Sequence, residues 1–142
     1  MTVRMFALII GVVYLIAGVA GFVPALLRPV PDTAPPIAIT AFYGAALGLF
    51  PVNFLHSLVH LAIGAWGVAA SRSTRGGARA YAKTIAVFYG ALAVMGLVPT
   101  LNTVFGLIPL HGHDVWLHAG TAVIAAYFGW IRSPEPLVRT AQ

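Results

Sequence analysis

Four apolar stretches, each close to the length a helix needs to cross a bilayer, leave this chain few folds to choose from. They run from Met5 to Leu27, Val52 to Ala70, Ala82 to Val98 and Asp114 to Ile131. A hydrocarbon core about 30 Å thick takes about 20 apolar residues in helical form. Composition agrees. Hydrophobic residues make up 60% of the 142 residues and charged ones 8%, with a mean hydropathy of +0.92. A soluble domain carries roughly 25% charged residues, because its surface faces water. Eight Lys and Arg with three Asp and Glu cannot clothe a water-exposed surface. The expected class is all-α, an integral membrane four-helix bundle forming a single domain over residues 1–142, with the lipid bilayer as its solvent.

The first stretch is longer than the 7–15 residues of a signal-peptide core, and no small-x-small cleavage site follows it. It is therefore expected to stay as a span. Two shorter apolar segments, Ile37 to Phe50 and Leu101 to Leu110, precede the second and fourth spans. Pro51 follows one and Pro109 lies near the end of the other. Each is too short to cross alone and reads as an interfacial or re-entrant segment packed on protein.

Basic residues set an orientation. Arg4 precedes the first span, Arg72, Arg75, Arg79 and Lys83 crowd the connection between the second and third, and Arg132 and Arg139 follow the fourth. The opposite side holds one base, Arg28, with Asp32 and Asp114. The positive-inside rule then puts both termini in the cytoplasm. The net charge of +5 needs no nucleic-acid partner, and no aromatic-interleaved basic patch supports one. The absence of cysteine excludes disulfides, thiolate metal sites, iron–sulfur clusters and cysteine nucleophiles.

The halves repeat. GVVYLIAGVAGFVP from Gly11 aligns with AVFYGALAVMGLVP from Ala86, matching Tyr14 to Tyr89, Gly21 to Gly96 and Pro24 to Pro99 at an offset of 75. GLFPVNFLHSLVH from Gly48 aligns with GLIPLHGHDVWLH from Gly106, matching Pro51 to Pro109 and His60 to His118 at an offset of 58. The first half therefore carries the longer connection. Repeat halves of about 5–71 and 80–132, each with two spans, imply a pseudo-two-fold axis along the membrane normal. His60 and His118 are then expected at equal depth on equivalent helices.

Residues four and seven apart share a helical face. Asn53, His56 and His60 form one stripe; His111, Asp114 and His118 form the other if its helix starts early enough, while His113 falls off it. Polar groups inside spans are costly and face the bundle interior or a watery cavity. Three readings stay open. Histidines can bond across helices and to carbonyls freed by Pro51 and Pro109, with Asn53 and Asp114 as helix N-caps. Alternatively His56, His60, His111, Asp114 and His118 supply ligands to a transition metal ion such as Zn, Cu, Fe or Ni. A third arrangement is b-type haem with His60 and His118 as axial ligands. No glutamate follows His56, so this is not the zinc-protease motif. Ser57 sits about 100° from His56 around the helix, which defeats a Ser-His-Asp arrangement; its expected role is to bond a carbonyl one turn back. No catalytic residue is assigned, and an enzyme is the weaker expectation. Metal binding is the preferred function, with an accessory or structural subunit of a larger membrane complex, or a homo-oligomer, as its rival.

Tyr14 and Tyr89 should lie at equivalent places and bond across the bundle or support the histidines. Trp66, Trp116 and Trp130 suit interfacial or packing positions. The segments VYLIAGVAGFVP, GLFPVNFLHSLVHLAIG and GLIPLHGHDVWLH together resemble a family of small bacterial four-helix membrane proteins known only as a domain of unknown function. The resemblance runs from about Ala7 to Ile131 and rests on Pro51, Asn53, His56, His60, Pro109, His111, Asp114 and His118. It implies the bundle, the polar cluster and a bacterial inner membrane, and it carries no activity.

Overall fold

A computed structural model describes residues 1–132. Arg139 and the proline-containing tail, expected to be unstructured, lie outside the described residues. Four α-helices carry the chain: α1 Val3–Ala20, α2 Phe54–Arg72, α3 Arg75–Leu97 and α4 His113–Ala126. The first three are long and apolar enough to cross a membrane. α4 has only 14 residues but passes without a break into a π-helical turn, Tyr127–Ile131. Together they reach about 28 Å at 1.5 Å per residue.

Helix ends depart from the apolar runs because hydropathy does not register backbone punctuation. α1 stops at Ala20, not near Leu27. Gly21 follows it with no room for a Cβ beside Ser57, and Pro24 opens a short 3₁₀ turn. α3 starts at Arg75, ahead of its apolar run, because the Thr74 hydroxyl accepts the Gly77 amide hydrogen bond at 3.2 Å and caps the helix. The basic residues between spans two and three therefore ride largely on helix. Arg75, Arg79 and Lys83 fall four apart on one face, and only Ser73 and Thr74 separate α2 from α3. Arg79 donates to the Arg132 carbonyl, and the Lys83 ammonium lies 5.5 Å from the Trp130 ring centroid.

The two short apolar segments are irregular, and the first adds a feature that an all-α reading lacks. Leu27–Arg28 (β1), Gly44–Ala46 (β2) and Phe50–Val52 (β3) form a small antiparallel sheet in the order β1-β2-β3, with Ala45 opposite Pro51. The second segment is a chain of turns up to Gly112. Ala38 and Gly106 join the segments through a 2.8 Å backbone hydrogen bond. They cover one end of the bundle, the capped end. The Ser73–Thr74 turn and the start of α1 mark the other, the turn end.

α1 packs along α2 and α3 along α4 more extensively than any other pair. In the first hairpin the backbones touch: a Cβ on Gly64 would come within 2.7 Å of the Leu15 amide nitrogen, and one on Gly11 within 2.7 Å of that of Val68. Small residues at such crossings let helices associate where lipid offers no hydrophobic drive. Phe6, Tyr81, Ile85, Tyr89 and Ala125 build the buried core, while Trp66, Trp116 and Trp130 face outward. Backbone conformation recurs along the chain: Leu47 and Gly48 have φ of 54° and 76°, and Phe105 and Gly106 have φ of 57° and 86°.

Candidate metal centre

At the capped end, α2 begins with its own clasp. Asn53 is fully buried and caps the helix, its Oδ1 accepting from the His56 amide at 3.0 Å. Its Nδ2 donates to the carbonyls of Ile39 at 3.0 Å and Leu107 at 2.8 Å, so one side chain pins both covering segments to α2. The structural role expected of Asn53 is what the geometry shows.

His56 and His60 follow on the buried face of α2, and His118 faces them from α4. Their exposures are 3%, 5% and 1%. One ring nitrogen from each lies within 4.8 Å of the others, a grouping that could hold a metal ion. The ring centroids stand 4.4 Å apart for His56 and His60 and 6.0 Å for His56 and His118. Asp114 joins them: its Oδ2 lies 3.5 Å from Nε2 of His118 and 3.9 Å from Nε2 of His56.

The polar atoms of this cluster are poorly paired. Nδ1 of His56 stands 3.2 Å from the Pro51 carbonyl oxygen. A carbonyl only accepts, so this nitrogen carries the hydrogen and Nε2 presents a bare lone pair. Asp114 Oδ2, His60 Nδ1 and both ring nitrogens of His118 are buried without a hydrogen-bond partner. Buried polar groups are nearly always paired, and leaving one unpaired costs about 1–3 kcal/mol. Each neutral imidazole keeps one N–H and offers one lone pair, so three lone pairs and a carboxyl group meet in one buried place, an arrangement that fits a cation.

Tyrosines wall the cluster on its inner side. Tyr14 of α1 rests on His60 with centroids 5.0 Å apart, and Tyr89 of α3 meets His118 edge-on at 4.9 Å. The two tyrosines lie 5.1 Å from each other. Tyr14 and the Thr121 hydroxyl are 3.3 Å apart, whereas the Tyr89 hydroxyl has no partner. Thr121 carries no mark in the sequence beyond its spacing of three residues from His118.

Other expectations change. Gly112, with φ of 68°, is the residue that caps α4; Asp114 sits inside the first turn and caps nothing. Only His56 of the three clustered histidines bonds a freed carbonyl. His111 precedes α4, half-buried, and does not join the cluster. Desolvation lowers its imidazole below the ordinary value. The Ser57 hydroxyl bonds no carbonyl one turn back; it is buried against Gly21 without a partner.

A family model described as a domain of unknown function, DUF4383, matches residues 4–131. The chain belongs to the DUF4383 family. No curated protein and no solved structure matches it. In this DUF4383 member the matched region takes in all four helices, both covering segments and every residue of the histidine cluster. The family has no assigned function, so any chemistry rests on the geometry of the site.

Proposed function

We propose that this protein binds one divalent first-row transition metal ion between α2 and α4, through His56, His60 and His118 with Asp114 as the fourth donor. The observation that carries the reading is the convergence of three buried imidazoles, each with a ring nitrogen to offer, beside the unpartnered Asp114 oxygen. Three imidazoles and a carboxylate suit Zn, Fe, Ni or Cu, and four donors make a tetrahedral shell natural. The Pro51 carbonyl fixes the tautomer of His56, the outer-sphere bond that ligating histidines usually make.

The internal repeat supports the same set. At the offset of 58, His60 corresponds to His118 and His56 to Asp114, so each half contributes a pair four residues apart. Equivalent contacts recur: Tyr14 on His60 and Tyr89 on His118, Gly21 against Ser57 and Gly96 against Val115. The left-handed residues Leu47–Gly48 and Phe105–Gly106 also stand 58 apart. The ion would then lie on the pseudo-two-fold axis. Symmetry also accounts for the lone Tyr89 hydroxyl, because the counterpart of Thr121 is Ile63, which has no hydroxyl.

Under the positive-inside rule, the basic residues at the turn end support a reading in which that end and both termini are cytoplasmic and the cluster lies toward the outer face. Haem fits less well. Tyr14, Tyr89, His56 and Asp114 occupy the space around His60 and His118, and a macrocycle needs a flat slot there. An accessory role without a cofactor leaves the unpartnered polar atoms unexplained. Elemental analysis of protein purified in mild detergent tests the reading. Near-stoichiometric metal that disappears in the His60→Ala, His118→Ala double variant supports it; wild-type protein that takes up no metal when offered each of these ions in turn overturns it.

A further inference from the structure

Four residues without glycine's freedom occupy the left-handed region: Phe42, Leu47, Val104 and Phe105, with φ between 47° and 57°. All lie in the segments that cover the bundle. Such a residue costs roughly 1–2 kcal/mol against its relaxed backbone, and strain of this kind persists where the surroundings over-determine it. Here it turns apolar side chains outward. Leu47 is 69% exposed and Phe105 77%. Leu49 and Leu107, two residues further along each segment, are exposed as well.

Charge distinguishes this surface from an ordinary loop. No Asp, Glu, Lys or Arg occurs between residues 33 and 71, or between 84 and 113, so each covering segment is continuous in composition with a span. The nearest base is Arg28 on β1. Its stem lies beside Gly48, where a Cβ would meet the Arg28 Cγ at 3.7 Å, and it is exposed and makes no ion pair among the described residues. Apolar tips beside a lone guanidinium match the chemistry of a bilayer's polar boundary, where acyl chain and phosphate lie within one side chain's reach.

We propose that the covering segments are membrane anchors: Leu47 and Leu49 from one and Phe105 and Leu107 from the other insert into the leaflet at the capped end, and Arg28 contacts a lipid phosphate there. The two insertions are related by the repeat and hold the cover down on the histidine cluster from both sides. Lipid, and not bulk water, then surrounds the cover over Asn53 and the cluster. This inference is independent of whether a metal is bound.

Because the chain lacks cysteine, single-cysteine variants carry a nitroxide label without background. Labels at Leu47→Cys and Phe105→Cys, in vesicles of equal parts phosphatidylethanolamine and phosphatidylglycerol, should be open to oxygen and shielded from a water-soluble nickel complex. The expected oxygen-to-nickel ratio is severalfold above that of a label at Gly76→Cys on the turn end, where a Cβ would meet only the Thr74 hydroxyl, at an ordinary 3.7 Å. Equal ratios would mean that the segments project into water. Shielding from both reagents would mean that a protein surface covers them. Either result overturns the proposal. If a label at 47 or 105 prevents folding, Leu49→Cys and Leu107→Cys give the same reading. Arg28→Gln should shift the label at 47 toward water and leave the one at 105 unmoved; no shift at 47 removes the phosphate contact.

Discussion

Asp114 shows what a single residue's environment can reveal. An aspartate at the start of a helix usually caps it, and spacing alone could not show that Gly112 takes that place. Freed from capping, the carboxylate has an oxygen buried among imidazoles with nothing to accept from. Its effects on stability and on binding should therefore have opposite signs. In the presence of a chelator, Asp114→Asn removes a buried carboxyl oxygen that has no partner and should denature at or above the wild-type temperature. With metal present it should denature below the wild type, since it has lost the bound-state increment, and its affinity should fall at least about tenfold. Thermal denaturation in detergent, with and without metal, checks both signs. Asn53 makes the contrasting case. Its cap and its two bonds to Ile39 and Leu107 should together be worth about 2–4 kcal/mol, lost in Asn53→Ala whether or not metal is present. Reversible unfolding in mixed micelles would measure that loss. Of the candidate ligands, the i, i+4 pair on α2 and its counterpart at His118 were legible from spacing; the displacement of His111 was not, because it follows from where α4 begins.

At the scale of elements, apolar runs located all four helices and misplaced their ends. Pro24 and Gly21 stop α1 early, and Thr74 starts α3 within the basic stretch, where hydropathy is low but helix-forming capacity is not. The small sheet was illegible for a related reason: its strands are two or three residues long and have no period to detect. The α1–α2 crossing depends on Gly11, Gly64 and Gly67, each within 3 Å of backbone for any added Cβ. Gly64→Val should therefore force the hairpin apart at a cost of at least about 1–3 kcal/mol, the usual range for overpacking. By contrast Gly120→Ala, on α4 with open space around it, should leave stability unchanged or raise it by up to about 1 kcal/mol. Comparing the two variants by SDS-induced unfolding separates a crossing requirement from a general intolerance of side chains at glycine.

At the scale of the molecule, the two helical hairpins meet where the histidines of α2 face His118 of α4. The matched Tyr, Gly, Pro and His positions were readable in the sequence, and so was the expectation that His60 and His118 meet. What could not be read is how the hairpins dock. The 5.1 Å approach of the Tyr14 and Tyr89 rings brings α1 and α3 together and sets the histidines of α2 against His118 of α4. A bulky change at this junction, Thr121→Leu, should remove the partner of the Tyr14 hydroxyl, crowd His118 and weaken metal binding while leaving both hairpins helical. Metal titration followed by circular dichroism would show the two effects apart.

The most direct test of the account is a cobalt(II) titration of metal-free protein followed by visible absorption. Three imidazoles and one carboxylate in a tetrahedral shell predict intense visible bands that saturate at one ion per chain and are lost in the His60→Ala, His118→Ala variant. Weak, unsaturable absorption that is the same in both proteins would contradict a metal centre at the junction of the two halves.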